Sequence, residues 1–265
     1  MDTFQAIIIA IVEGLTEFLP VSSTAHMKFL QPLLGLSDTP FINMFEVIIQ
    51  LAAILAVVVL YWKKFFDFKR ISFYTKLIIA VIPALIGGFF LKKQIEAALG
   101  NLSFIAWVMV IGGIILLFID DVFKNATINS EEKITNKTAF IIGCGQVLSI
   151  VFPGLSRSAA TIITGMSQKL TRSAAAEFSF FLAVPTMFAA SAKSFWDTYK
   201  ENPEAIAKDN ITILLIGSAV AFVVALMAVK FFIDFLKKYG FRIWGIYRII
   251  AGFTMLFLIW KGIVH

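Results

Sequence analysis

The sequence predicts an all-α polytopic membrane protein with an inverted-topology repeat, six transmembrane helices and two re-entrant helix pairs. Three observations predict this fold. Of the 265 residues, 59% are hydrophobic and only 15% are charged, and the mean hydropathy is +0.88. Several apolar runs reach membrane-spanning length, which a soluble domain of this size would not carry. The third observation is a pattern of polar residues that occurs once in each half of the chain.

Six apolar stretches are long enough to cross a membrane. They lie at about residues 43–62, 74–91, 103–119, 176–195, 211–233 and 244–260. Two further apolar regions, about 4–34 and 138–170, are interrupted by Pro20 and by Pro153-Gly154, and each of their halves is short for a span. Interrupted helices at membrane depth are tolerated only where protein or a polar cavity surrounds them. Both regions are therefore predicted to be re-entrant helix pairs.

The two interrupted regions occupy corresponding places in an internal duplication. The polar pattern of the first returns 133 residues later, where Gln146, Pro153 and Ser156 correspond to Glu13, Pro20 and Ser23. Repeat 1 covers about residues 1–132 and repeat 2 about residues 133–265. Three crossings per repeat is an odd number, so the second repeat is predicted to lie upside down. Inverted repeats place their polar site near the membrane midplane, where the interrupted helices meet.

The distribution of basic residues predicts the orientation. Fifteen Lys and Arg residues fall on one side of the predicted topology and seven on the other, and Arg157 lies in the second interruption. The richer side is predicted to be cytoplasmic, so both chain termini are predicted to be extracytoplasmic. The net charge of +6 is spread over short loops. This distribution favours contact with anionic membrane lipids and argues against nucleic acid as a partner.

The first interruption gathers reactive side chains. Glu13 and Glu17 are four residues apart, so both project from one face of a helix. Pro20 ends that helix, and either Ser22 or Ser23 can cap the next one. His26 would then lie one turn into the new helix, on the side of Ser23. Burying an acidic side chain in a membrane costs free energy, so such residues are usually functional. The alternative is that the two carboxylates are structural and that the hydroxyl residues only cap the helix.

The second interruption has the character of an anion site. Gly154 allows a turn, and Ser156 and Ser158 open a helix whose free N–H groups and dipole point towards a bound anion. Arg157 adds a fixed charge and a planar pair of donors that suit phosphate. Opposite an interruption with two carboxylates, this turn predicts a phosphate site.

At these two interruptions the chain resembles the undecaprenyl-diphosphatase family, which is associated with bacitracin resistance. The resemblance rests on Glu13-x-x-x-Glu17 with Pro20-Val21-Ser22-Ser23-Thr24-Ala25-His26, and on Pro153-Gly154-Leu155-Ser156-Arg157-Ser158-x-x-Thr161. It implies a phosphatase that converts undecaprenyl diphosphate to the monophosphate and inorganic phosphate. It also implies a bacterial plasma membrane and a role in peptidoglycan synthesis. A polyprenyl-phosphate flippase or transporter is the alternative, because inverted repeats with interrupted helices are also the build of secondary transporters.

The predicted mechanism is phosphoryl transfer with Ser23 as the nucleophile and either His26 or Glu17 as its base. Direct attack by water, with Glu17 as base, fits the same residues. Arg157 and the N–H groups of Ser156 and Ser158 would hold the phosphate oxygens. The predicted phosphate site is completed by Ser22, Thr24, Gly154 and Thr161.

Glu13 and Glu17 are also candidates to hold a divalent cation, Mg²⁺ or Ca²⁺, against the diphosphate, and no organic cofactor is expected. Four further residues are assigned a secondary role, as support for the site or in packing: Glu46, Gln50, Glu177 and Arg248. Arg248 is expected to extend towards the cytoplasmic surface, with a lipid headgroup as an alternative partner. The sequence leaves a homodimer open.

Overall fold

The structure is a computed structural model that describes residues 1–264, without the side chain of Lys237. Two predictions therefore lie outside the described residues. One is the extracytoplasmic position of the C-terminal residue, and the other is the count of Lys237 among the cytoplasmic basic residues. Regular structure in the described part is helical, apart from one isolated bridge between Ile128 and Leu170 and two short 3-10 helices. The α-helices are α1 (Thr3–Thr16), α2 (Ser23–Leu33), α3 (Pro40–Leu60), α4 (Trp62–Phe65), α5 (Ile71–Phe90), α6 (Lys92–Leu99), α7 (Leu102–Val122), α8 (Asn136–Val151), α9 (Arg157–Ser167), α10 (Arg172–Glu201), α11 (Lys208–Tyr239) and α12 (Arg242–Trp260).

The six predicted spans are confirmed. Helices α3, α5, α7, α10, α11 and α12 have the length and apolar character needed to cross a membrane. The predicted ends were too early for α10, which continues to Glu201, and for α11, which continues to Tyr239. Hydropathy marks only the part of a helix that lies in lipid, whereas the backbone hydrogen bonds continue into the polar residues beyond it. The predicted 234–243 loop therefore shrinks to Gly240 and Phe241.

Both interruptions are present as breaks between two short helices. The first break separates α1 from α2, and the second separates α8 from α9. Ser22 caps α2 by accepting a hydrogen bond from the N–H of Ala25, and Ser156 caps α9 by accepting one from Ala159, each at 3.3 Å. The two caps have left-handed φ values of 69° and 74°, an uncommon conformation for serine that costs roughly 1–3 kcal/mol. Of the two predicted cap candidates in the first break, Ser22 is the one used.

The interval from the proline to the cap differs between the two breaks by one residue. Ser22 lies two positions after Pro20, whereas Ser156 lies three positions after Pro153. The offset between the repeats is 133 residues up to the prolines, and it is 134 residues from the caps through α2 and α9. In the folded chain Ser23 therefore corresponds to Arg157, since each is the first residue of its helix.

The packing of the two halves supports the predicted inverted repeat. Helices α3 and α10, which correspond to one another, run antiparallel. The Ser191 hydroxyl donates to the Val47 carbonyl at 3.0 Å near one end, and the Phe181 and Tyr61 rings meet edge to face near the other. Helix α1 packs on α11 in the same way that its counterpart α8 packs on α5, the counterpart of α11. Helices α7 and α12, again counterparts, also pack on each other.

Glycines allow α7 and α12 to approach closely. A Cβ added to Gly113 would lie 2.8 Å from the Gly245 carbonyl oxygen, and one added to Gly252 would lie 2.7 Å from the Val110 side chain. A Cβ at Gly112 would collide with the guanidinium of Arg248. Small residues at these positions thus fix the distance between the two helices and leave room for a buried cation.

On the side predicted to be cytoplasmic, buried Glu131 joins α4 to the start of α5. Lys64 donates to its carboxylate at 2.7 Å and Arg70 at 3.2 Å. Burial alone would raise the pKa of Glu131, but the hydrogen bonds from Lys64 and Arg70 hold that pKa below its usual range. The carboxylate therefore stays charged and keeps the interhelical contacts in place.

The orientation is testable with two introduced cysteines, Lys69→Cys and Glu204→Cys, after Cys144→Ser removes the native thiol. Both positions are exposed, one between α4 and α5 and the other between α10 and α11. From the excess of basic residues on the first side, we expect a membrane-impermeant thiol reagent to label Glu204→Cys in intact cells. Lys69→Cys should react only after the membrane is opened. The opposite pattern would reverse the predicted topology.

Candidate active site

One carboxylate connects the two breaks. Glu17 follows the last turn of α1, Ser23 opens α2, and Arg157 opens α9. The Ser23 hydroxyl donates to Glu17 Oε2 at 2.6 Å, and Arg157 Nη2 donates to Glu17 Oε1 at 3.1 Å. Exposure of the Glu17 side chain is 6% and of the Arg157 side chain 13%, so both charges are largely removed from solvent. Glu17 is thus the standing partner that a buried arginine requires.

Hydrogen bonds between the breaks hold them in this arrangement. The Ser158 hydroxyl donates to the Leu19 carbonyl of the first break at 3.0 Å, and Ser156 lies 3.4 Å from the same oxygen. Arg157 Nη1 donates to the Ser179 carbonyl of α10 at 3.1 Å. The start of α9 is therefore fixed against both the first break and a spanning helix.

Glu13 lies one turn before Glu17 and is fully buried. Neither of its carboxylate oxygens has a hydrogen-bond partner among the described residues. An unpartnered buried carboxylate is costly, and at a candidate site it indicates a ligand. A divalent cation fits, because Glu13 offers two free oxygens beside those of Glu17. The described residues hold no group of three or more His, Cys, Asp or Glu that would complete a coordination shell. Substrate oxygens and water would have to supply the remaining ligands, as is usual for Mg²⁺.

His26 does not bond to Ser23. Its Nδ1 lies 2.8 Å from the Ser22 carbonyl, and its Nε2 lies 2.7 Å from the Tyr247 hydroxyl. A carbonyl only accepts, so Nδ1 carries a proton, and in the neutral imidazole Nε2 accepts from the tyrosine. Of the two predicted bases, Glu17 is the one in contact with Ser23. Tyr247 was missed from the sequence, since it lies 221 residues from His26 and belongs to no motif.

Thr161 lies behind the break and does not open onto it. Its side chain is fully buried, and its hydroxyl lies 2.8 Å from the Arg157 carbonyl and 2.6 Å from the Ser179 hydroxyl. The hydroxyl links α9 to α10 through these hydrogen bonds. It therefore supports the predicted phosphate site by holding α9 in place and is not directed at a bound phosphate.

The other predicted phosphate residues shape the backbone of the two breaks. Ser22 and Ser156 act through the caps described above. Gly154 has φ +99°, and a Cβ there would lie 2.6 Å from the Ile105 carbonyl oxygen, so only glycine fits. Thr24 is half-buried in the first turn of α2. The first turns of α2 and α9 leave backbone N–H groups without intrahelical partners, and such groups are suited to donate to an anion.

Three of the predicted secondary residues lie around α3 and α10. Buried Glu46 accepts from Gln31 Nε2 at 2.6 Å and lies 3.3 Å from Lys28 Nζ. Gln50 is half-buried one turn further along α3. Glu177 lies 3.6 Å from Lys64 in the Glu131 cluster. Because α3 and α10 are antiparallel, Glu46 and Glu177 lie at opposite ends, and the breaks do not bring Glu177 into the site.

The expectation that Arg248 extends to the surface is wrong. Its side chain is fully buried, and it donates to backbone carbonyls of both breaks: Pro20 at 3.0 Å, Gly154 at 2.7 Å and Leu155 at 2.7 Å. Because carbonyls from the two breaks satisfy the buried guanidinium, the Arg248 side chain gains nothing by extending to the membrane surface. Arg248 leaves the cytoplasmic count of basic residues, which becomes 14 against 7.

Comparison with known proteins agrees with this architecture. The family model described as bacitracin resistance protein BacA matches residues 6–254. An undecaprenyl-diphosphatase of Porphyromonas gingivalis is 47% identical over 279 residues, which covers 99% of each chain.

Two other relatives have the same description. An undecaprenyl-diphosphatase of Flavobacterium psychrophilum is 50% identical over 97% of this chain and 96% of its own. One of Bdellovibrio bacteriovorus is 44% identical over 99% of this chain and 98% of its own. The matches extend over both breaks and all six spans. The chain is a multi-pass membrane protein that belongs to the BacA family of undecaprenyl-diphosphatases.

Proposed function

We propose that this protein hydrolyses undecaprenyl diphosphate to undecaprenyl monophosphate and inorganic phosphate in a bacterial plasma membrane. The reaction would return the lipid carrier to peptidoglycan synthesis and protect against bacitracin. The observation that carries the proposal is the contact series from Ser23 through Glu17 to Arg157, which joins a nucleophile, a base and a phosphate ligand across the two breaks. The names of the relatives supply the substrate.

In the proposed reaction Ser23 Oγ attacks the terminal phosphorus, and Glu17 Oε2 accepts the hydroxyl proton. The bond from the terminal phosphorus to the bridging oxygen breaks, and undecaprenyl monophosphate leaves with the bonding electron pair and takes the proton from Glu17. Water then attacks the phosphoserine, and Glu17, ionised again, takes a proton from that water. The bond between phosphorus and Ser23 Oγ breaks, Glu17 returns the proton to Oγ, and inorganic phosphate is released. His26 would exchange protons with the site only after its hydrogen bond with Tyr247 opens.

Arg157 and the free N–H groups of the first turns of α2 and α9 would hold the terminal phosphate. In phosphoryl transfer the protein chiefly positions the reactants and compensates the charge that develops on the phosphate oxygens. Arg157 is already directed at the carboxylate that bonds Ser23, so a phosphate beside Ser23 would replace Glu17 as its partner. Substrate binding would thereby free Glu17 from Arg157 while its contact with Ser23 stays in place.

Glu13 and Glu17 are proposed to hold a divalent cation, Mg²⁺ or Ca²⁺, and no organic cofactor is proposed. The unpartnered oxygens of Glu13 support this. The cation would neutralise charge on the diphosphate oxygens. Glu13 would keep the same position with and without substrate, because it is buried within α1.

A polyprenyl-phosphate transporter is the alternative from another class, and its test is simple. A carrier needs an anion site but no nucleophile and base in contact. Phosphate release from a C55 diphosphate by the purified protein in detergent, where no transport takes place, would support the phosphatase. Absence of release under any cation condition would contradict it.

We expect Ser23→Ala to lower kcat by about three orders of magnitude or more, because no neighbouring hydroxyl in contact with Glu17 replaces it. Phosphate release measures the rate. Ser149→Ala is the control, since that hydroxyl bonds only to the Gln146 carbonyl within its own helix at 2.7 Å. Near-normal turnover of Ser23→Ala would favour direct attack by water, with Glu17 still acting as the base.

We expect Arg157→Ala to lower kcat/KM by about two to three orders of magnitude, which corresponds to roughly 3–4 kcal/mol for one preorganised donor. Arg157→Lys keeps the charge but loses the planar pair of donors, so it should also lose much of the rate. Arg172→Lys is the control, because Arg172 pairs with Asp120 away from the breaks. If Arg157→Ala keeps a tenth of the wild-type kcat/KM, Arg157 is only the counter-ion of Glu17.

We expect chelation to abolish phosphate release and Glu13→Gln to raise the Mg²⁺ or Ca²⁺ concentration for half-maximal rate by about tenfold or more, since one carboxylate ligand is lost. Titration of the cation against the rate measures this. Glu131→Gln, which alters a buried carboxylate bound by Lys64 and Arg70, should leave the cation requirement unchanged. Full activity in excess chelator would rule out the cation.

A further inference from the structure

Arg248 is a fully buried cation without a buried anion beside it. No carboxylate within 4.0 Å pairs with it in the described part of the chain. All five of its N–H donors are directed at backbone carbonyls instead. Nε donates to Met109 at 3.2 Å, Nη1 to Pro20 at 3.0 Å and Leu155 at 2.7 Å, and Nη2 to Val108 at 3.3 Å and Gly154 at 2.7 Å.

These acceptors explain why the charge is tolerated. A guanidinium has five N–H groups in a rigid plane, and each one here has an acceptor. Three of the acceptors are carbonyls that the breaks deprive of a helical partner. Leaving those carbonyls unsatisfied at membrane depth would itself cost energy. Arg248 therefore satisfies the breaks while the breaks satisfy Arg248, and no donor is left for a phosphate.

The guanidinium also reaches both breaks at the same time. The Pro20 carbonyl lies two residues before the cap of α2, and the Leu155 carbonyl lies immediately before the cap of α9. Nη1 alone bonds to one carbonyl from each break. The orientations of Ser23 and Arg157, the first residues of the two helices, thus depend on a common group that touches neither side chain.

We propose that Arg248 is a positioning residue that sets the distance between the two breaks, so that Ser23 and Arg157 act on one phosphate. The proposal rests on the proposed function. Misplacing reacting groups by about 1 Å can lower a rate by about 100-fold, because the near-attack geometry is lost. Binding of the lipid chain would be unaffected, since the apolar helix surfaces are unchanged.

Two variants test the role without removing the charge. Arg248→Lys keeps one positive charge but replaces the planar donors with a single ammonium that cannot span both breaks. Gly112→Ala keeps Arg248 and places a methyl group against its guanidinium. The matched control is Gly252→Ala, which crowds the same α7–α12 interface at Val110 and the Ala106 carbonyl. All three proteins are first compared with the wild type by thermal unfolding in detergent.

The first measurement is phosphate release from a C55 diphosphate. We expect kcat to fall by about 100-fold in Arg248→Lys and Gly112→Ala while KM changes by less than about threefold. Gly252→Ala should keep kcat close to the wild type. Equal losses in Gly112→Ala and Gly252→Ala would show that helix packing matters rather than the guanidinium, and would overturn the proposal.

The second measurement is independent of activity. Hydrogen–deuterium exchange is followed by mass spectrometry in peptides that cover residues 18–24 and 153–158. Exchange should rise at both breaks in Arg248→Lys and Gly112→Ala, and should stay at the wild-type level in Gly252→Ala. Unchanged exchange at either break in folded Gly112→Ala would overturn the positioning role even if the wild type is active. If exchange rises as expected but the wild type releases no phosphate, the proposed function fails while Arg248 still holds the breaks.

Discussion

The backbone groups that a helix break exposes at membrane depth must find partners within the protein, and the rest of the structure depends on that constraint. Ser22 and Ser156 satisfy one N–H each as caps. Leu19 in the first break accepts from Ser158 in the second, and Arg248 donates to carbonyls of both. Each break thus finds hydrogen-bond partners for its backbone groups in the other break or in Arg248, and these bonds hold the two breaks against each other. The first-turn N–H groups that remain without intrahelical partners are the proposed donors for the phosphate.

The duplication supplies two helix starts with different chemistry. Measured from the caps, Ser23 in the first repeat and Arg157 in the second occupy the same position. One contributes a hydroxyl and the other a cation, and Glu17 contacts both. The interval from the proline to the cap is one residue longer in the second break and contains Gly154, whose φ of 99° favours glycine. In the proposed mechanism the first repeat supplies the nucleophile and the base and the second supplies the phosphate ligand, so the site would exist only at their junction.

The sequence predicted the spans and the breaks because hydropathy and proline act locally. It also predicted that Glu17, Ser23 and Arg157 belong to one site, because all three residues lie in the two motifs at the interruptions. Contacts between distant segments were beyond it. Tyr247 and Arg248 lie on a spanning helix that contains no motif. Tyr247 bonds to His26 and Arg248 bonds to Pro20, and each partner lies more than 220 residues earlier in the chain. For Glu177 the sequence left support of the site and packing open, and the structure places it in a packing contact with Lys64, because α3 and α10 are antiparallel and Glu46 and Glu177 lie at opposite ends.

The charges at the junction indicate how the site would respond to a diphosphate. Without substrate, Glu17 and Arg157 compensate each other, while the charge of Arg248 is met by five carbonyls. Both carboxylate oxygens of Glu13 lack a hydrogen-bond partner among the described residues. In the proposed reaction, a diphosphate that bonds Arg157 would release Glu17 from it and leave two neighbouring carboxylates beside an anionic substrate. That arrangement would be strongly unfavourable without a cation, so the proposed divalent ion would enter with the substrate. The proposed cation would therefore have two effects. It would stabilise the bound diphosphate, and it would hold the diphosphate near Glu13 and Glu17, within reach of Ser23.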